Sequence, residues 1–196
     1  MMELIVHPWP GPVPAPQDGV VAISIAVAHD MPRAHQRAEI RHAIAEVLAA
    51  LTGKPAASFG IHSLPGHPLK VVVDGHDSDI GCSFSHEDGC SIAAINLHGA
   101  VGVDLMRIYE VFNWQAVARD YLGPEACAAL AATPAADSTL AFVLAWTRHE
   151  ATLKCHGIQL VEWSEDLVVP ATVTASTVLP NNLVASLALP LQDQAQ

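Results

Sequence analysis

Two segments long enough for helices of several turns interrupt a chain otherwise built of short apolar runs. That alternation constrains the fold of these 196 residues more than any other feature. After Asp30 or Met31-Pro32, the residues Ala34, Ala38, Ile40, Ile44, Val47, Leu48 and Leu51 fall near helical spacing, and Gly53 stops the run. A second helix starts at Asp137 or Ser138, runs to about Lys154 and is stopped by Gly157. Residues 112–122 and 124–132 read as short helices. Apolar, β-branched stretches at 20–27, 69–73, 80–84, 91–97, 100–105, 158–161, 167–173 and 183–189 read as strands. Residues 7–19, with five prolines, predict an extended lead-in with Trp9 pinned on the body, and Gly60, Pro65, Gly66 and Pro68 mark a turn-rich stretch. The acids of 74–79 lack the order of a calcium loop and read as a polar turn. The element order predicts an α+β fold of two similar halves, 1–98 and 99–196, joined near His98–Ala100.

Charge narrows the function classes. Nine Lys and Arg against twenty Asp and Glu give −11 at pH 7, which argues against general nucleic-acid binding and against docking on anionic lipid. No apolar run approaches the roughly 20 residues a bilayer requires, and the first residues lack a secretory leader. Cys82, Cys90, Cys127 and Cys155 have no zinc spacing, so free thiols in a cytoplasmic protein are expected. Eleven His make the charge sensitive to pH. Three of the nine basic residues, Arg33, Arg37 and Arg41, step by four along the first helix and share one face.

Three segments hold candidate chemistry: Ser83-Phe84-Ser85-His86, Gly102-Val103-Asp104, and the helix end Trp146–Lys154. Taken singly, Asp104 is a cap at a strand's end, and Glu150 with Lys154 is a surface ion pair one helical turn apart. Taken together, Asp104 and Glu150 supply two carboxylates for Mg²⁺, which prefers oxygen ligands and shares them with substrate phosphates. Lys154 then neutralises a phosphate, Ser85 and His86 donate hydrogen bonds to a diphosphate, and the arginine stripe holds a more distant phosphate.

In this order the three segments resemble the surfactin-type 4′-phosphopantetheinyl transferases. The resemblance rests on Gly102-Val103-Asp104, on Trp146 with Glu150 and Lys154 at W-x3-E-x3-K spacing, and on Ser85-His86. Gly66-His67-Pro68 and Arg41 stand where that family has its G-K-P element and an arginine for the 3′-phosphate of coenzyme A. It implies two α/β halves about a pseudo-twofold axis with coenzyme A between them. It also implies Mg²⁺ on Asp104 and Glu150, coenzyme A bound by Arg41, Arg37, His67, Ser85, His86 and Lys154, and catalysis by Glu150, Lys154 and His86. The implied reaction moves 4′-phosphopantetheine to a serine of an apo acyl or peptidyl carrier protein, and the short length, with two halves in one chain, predicts a monomer. Three departures stand out. Met106 occupies a position often acidic in the family, and His149 and His67 replace lysines, exchanging fixed charges for titratable ones. They leave room for a divergent member that binds coenzyme A or a carrier protein without efficient transfer, and for a plain interaction protein.

Overall fold

The structure, a computed structural model, describes residues 3–64 and 66–191. Pro65, counted above in the turn-rich stretch, lies outside them. Six strands form one sheet: β1 (Val6–Pro8), β2 (Val20–Ala26), β3 (Phe59–His62), β4 (Lys70–Val73), β5 (His76–Glu87) and β6 (Cys90–Asn96), in the order β1-β2-β6-β5-β4-β3. A second sheet has the order β7-β9-β8, from β7 (Gly102–Arg107), β8 (Thr172–Leu179) and β9 (Leu183–Pro190). The long helices are α1 (Arg33–Thr52) and α4 (Ser138–His156), with the short α2 (Trp114–Val117) and α3 (Gly123–Ala131) between β7 and α4.

Alternation along β2 explains the layering. Val21, Ile23 and Ile25 pack in one cluster with Ile40, Ile44, Val47 and Leu48 of α1. Ala22 and the flanking Val20 instead join a cluster with Val103, Leu105, Ala185 and Leu187 of the second sheet. Both faces of the first sheet are therefore covered, which is why β2 and β6 are apolar along most of their length, interrupted by Ser24 in one and by Ser91 and Asn96 in the other. On the outer face of the second sheet, Val184 and Ala188 of β9 meet Phe142, Val143, Ala151 and Cys155 of α4. The layers run α1, sheet, sheet, α4. Each fully buried Ile or Leu at these contacts contributes about 1.5–3 kcal/mol.

Both long helices end as their glycines require. Gly53 (φ 75°) and Gly157 (φ 68°) adopt the left-handed conformation. At the second, the Ile158 N–H reaches back to the Leu153 carbonyl, closing the last turn. Trp9 is pinned as expected, its indole donating to Glu46 at 3.0 Å.

Several elements differ from the sequence reading. The supposed polar turn 74–79 is mostly strand: Asp74 and Gly75 alone make a tight hairpin, both at positive φ, and β5 begins at His76. Part of the turn-rich stretch is the edge strand β3. Residues 158–161 and 167–171 are irregular, and the strand expected there starts at Thr172 and runs to Leu179. Threonines in alternation hid it, and Pro170 marks where it cannot begin earlier. No helix of the described residues is long and apolar enough to cross a membrane.

Candidate active site

The close approach of α4 to β7 builds the site. A Cβ on Gly102 would collide with the Ala151 carbonyl oxygen and stand 2.6 Å from the Cys155 nitrogen. Only glycine lets the helix backbone lie directly on the strand. The contact brings Glu150 and Lys154 over Asp104, although 46 and 50 residues separate them in sequence.

Asp104 is not at a strand end but inside β7, 6% exposed. Two donors reach it. The Lys154 ammonium lies 2.7 Å from Oδ1, and the Ser85 hydroxyl lies 2.8 Å from the same oxygen. Lys154 also donates to the Val103 carbonyl at 3.3 Å. The ion pair of this helix end is thus Lys154 with Asp104, not the local Glu150–Lys154 pair that spacing alone suggests. Glu150 is half-buried, and its carboxyl is pushed above the usual range, first by burial and then by the Asp104 charge, against the opposing pull of Lys154. The Asp104 charge thus acts on the Glu150 carboxyl, which lies within its electrostatic reach.

Strand β5 supplies the opposite wall and uses its two faces differently. Ser83, Ser85 and Glu87 all bond to β7. Ser83 Oγ accepts the Val103 N–H, Ser85 donates to Asp104, and Glu87 accepts the Arg107 N–H. Phe84 and His86, on the alternate positions, have tilted rings 5.4 Å apart, and the Arg41 guanidinium lies 5.5 Å from the Phe84 ring centre. His86 Nδ1 pairs with the Ser91 hydroxyl at 2.7 Å. Burial, followed by the charges of Arg33, Arg37, Lys154 and Arg41, pushes His86 down to about 4. The arginine stripe therefore faces His86, and His86 is neutral at physiological pH. When Ser91 donates to Nδ1, Nε2 carries the proton and is a buried donor without an acceptor. Arg41 Nε is a second such donor. Two orphaned buried donors on one wall suit an anion with several oxygens.

His67 is exposed, and its backbone and that of Pro68 press on Gly157 at the end of α4. The G-H-P element is thus carried to the helix end one turn beyond Lys154. Burial lowers the His149 imidazole below its ordinary range. Met106 packs among the apolar side chains that surround Phe142 and Val184. Trp146 stacks on Phe142 at 6.0 Å and edge-on to Tyr121 at 5.8 Å, joining α4 to residues 114–122.

Sequence reasoning missed Glu87, Ser91, Ser186 and the structural use of Ser83. Ser186 sits opposite Asp104 on β9 and shares a 2.7 Å hydrogen bond with Thr147 of α4, locking the helix one turn before Glu150. Small hydroxyls inside apolar strands carry no spacing signal of their own.

The donor set fits a hard cation. Asp104 and Glu150 offer carboxylate oxygens from rigid elements, and both hydrogen bonds to Asp104 fall on Oδ1, leaving Oδ2 with capacity for a cation. Among the described residues no three His, Cys, Asp or Glu side chains gather as a metal cage. No curated protein matches the chain. The family model of the 4′-phosphopantetheinyl transferase superfamily matches residues 100–185, a span that holds both the Gly102-Val103-Asp104 strand and the Trp146–Lys154 helix end. Over that span the chain is similar to the 4′-phosphopantetheinyl transferase superfamily.

Proposed function

We propose that the protein transfers the 4′-phosphopantetheine group of coenzyme A to a serine of an apo acyl or peptidyl carrier protein, with Mg²⁺ held by Asp104 and Glu150. The observation that carries this reading is the assembly of Asp104, Glu150 and Lys154 beside a wall of unsatisfied donors, Arg41 Nε and His86 Nε2. When bound, the cation supplies charge neutralisation at the diphosphate.

The side chains divide the remaining work. Arg41, Arg37 and neutral His86 bind phosphate oxygens, and His67 contributes from the end of α4. The carrier serine oxygen bonds to the β-phosphorus while the bond from that phosphorus to the bridging oxygen breaks. The bridging oxygen leaves with adenosine 3′,5′-bisphosphate, whose growing charge Lys154 balances. Glu150 takes the serine proton, directly or through a water it orients. A carboxylate raised by burial is a stronger base at neutral pH than an exposed one. Positioning and charge account for the rate.

One helix laid on each of two sheets supports the surfactin-type arrangement of two halves related by a pseudo-twofold axis, with coenzyme A between α1, β5 and α4. Such a cleft needs no second subunit, which supports a monomer, and four free thiols suit the cytoplasm. A second reading, coenzyme A binding without efficient transfer, is favoured by Met106 at the third-acid position and by Lys154 resting on the metal carboxylate. The test incubates the protein with coenzyme A, Mg²⁺ and an apo carrier and reads the carrier's mass. Gain of one phosphopantetheine supports transfer. Coenzyme A binding with an unchanged carrier supports the second reading, and no binding of either overturns both.

A further inference from the structure

We propose that Ser85 is a positioning residue for the divalent cation, acting through Asp104 rather than touching coenzyme A. This rests on the reading of Asp104 as a metal carboxylate. Ser85 is 8% exposed and lies on the face of β5 turned to β7, while Phe84 and His86 occupy the alternate positions beside Arg41. Its hydroxyl proton is committed to Asp104 Oδ1 at 2.8 Å.

Two neighbours fix the geometry of that bond. Ser83 holds the Val103 N–H at 3.0 Å and Glu87 holds the Arg107 N–H at 3.2 Å, so β5 and β7 are pinned on both sides of Asp104. The Ser85 oxygen therefore cannot drift, and it sets the rotation of the carboxylate about its terminal torsion. Lys154 bonds the same Oδ1. With both donors on one oxygen, Oδ2 keeps its lone pairs. Without Ser85, nothing from β5 restrains the carboxylate, and it is free to turn both oxygens toward the Lys154 ammonium, at the cation's expense. Hydrogen-bond partners of metal ligands typically change affinity by about 10–100-fold when removed.

The experiment titrates Mn²⁺ into the full chain, with neither coenzyme A nor carrier present, and follows free Mn²⁺ by electron paramagnetic resonance. Parent, Asp104→Ala, Ser85→Ala and Ser85→Thr are compared, and coenzyme A affinity is measured separately without metal. Ser85→Thr keeps the hydroxyl, so a folding defect shared by any substitution at this site is told apart from loss of the bond. The expected result is Mn²⁺ affinity weakened about 10-fold or more in Ser85→Ala, largely restored in Ser85→Thr, with metal-free coenzyme A affinity unchanged. Unchanged Mn²⁺ affinity in Ser85→Ala, with loss in Asp104→Ala, overturns the role of Ser85 and leaves the metal reading standing. Mn²⁺ binding that survives Asp104→Ala, or is absent from the parent, overturns both. Weakened coenzyme A affinity in Ser85→Ala overturns the role in favour of direct contact with the coenzyme.

Discussion

Gly102 of β7 and Ala151 of α4 meet backbone against backbone, with no room for a side chain between them. The glycine of Gly102-Val103-Asp104 is therefore a spacing device. It sets the distance at which Glu150 and Lys154, on either side of Ala151, hang over Asp104.

Replacing that glycine should damage stability and activity together. Gly102→Ala must push α4 outward or distort β7, and overpacking of this kind costs about 1–3 kcal/mol. Urea unfolding should show a lowered midpoint with an unchanged slope, and carrier modification should fall at least tenfold at temperatures where the variant is still folded. Full activity in the folded variant would show that the helix position is not what assembles the site.

Lys154 and Asp104 should be energetically coupled. Lys154→Met leaves a nearly buried carboxylate with Ser85 as its remaining donor, which should cost roughly 1–3 kcal/mol in unfolding free energy. In Asp104→Asn the charge is gone, and the same lysine substitution should then cost much less. A double-mutant cycle by urea melts measures the difference, and strict additivity would contradict the ion pair.

His86 should act as a neutral donor. Its imidazole is pushed down to about 4, so between pH 6 and pH 8 it does not change charge. Coenzyme A affinity measured calorimetrically should be retained better by His86→Gln than by His86→Ala, and the ratio of the two should be the same at pH 6 and pH 8. A ratio that changes severalfold over that interval would mean that the protonated ring binds the phosphates.

Asp104, Glu150, Lys154 and the arginine stripe stood out as candidates because basic residues are scarce, nine in 196, and Glu150 and Lys154 share one face at helical spacing. The two long helices were legible from period and from Gly53 and Gly157, which a left-handed terminus demands. What stayed hidden depends on pairing across the sheets. Asp104 looked like a cap because nothing in sequence says that β7 continues to Arg107. The burial that lowers the His149 imidazole is a tertiary fact with no signal in the sequence. Ser83, Ser85 and Glu87 became a ladder onto β7 only once two strands from different sheets lay side by side.

A surface pair gives a pH signature away from the site. His29 bonds Asp88 at 2.8 Å, tying the loop before α1 to the hairpin between β5 and β6. Asp88 raises the imidazole above its ordinary value, through the hydrogen bond first and its charge second, and His29 lowers the Asp88 carboxyl. A raised imidazole contributes fully below the ordinary imidazole range and loses that contribution as pH climbs through its folded value. A lowered carboxylate contributes above the ordinary carboxylate range and loses it on acidification. Stability from the pair is therefore confined between the two ranges. The melting temperature of His29→Ala should fall less than that of the parent between pH 6 and pH 8. Parallel curves would remove the pair from the account.

The most direct measurement is single-turnover modification of an apo carrier by the parent, Asp104→Ala, Glu150→Ala and the double variant, each verified as folded, with coenzyme A and Mg²⁺ in excess. Residues that act as one unit are not additive. Each single variant should lose nearly all transfer, and the double variant should be little worse than either. Transfer at the parental rate in either single variant would contradict a shared site for the two carboxylates.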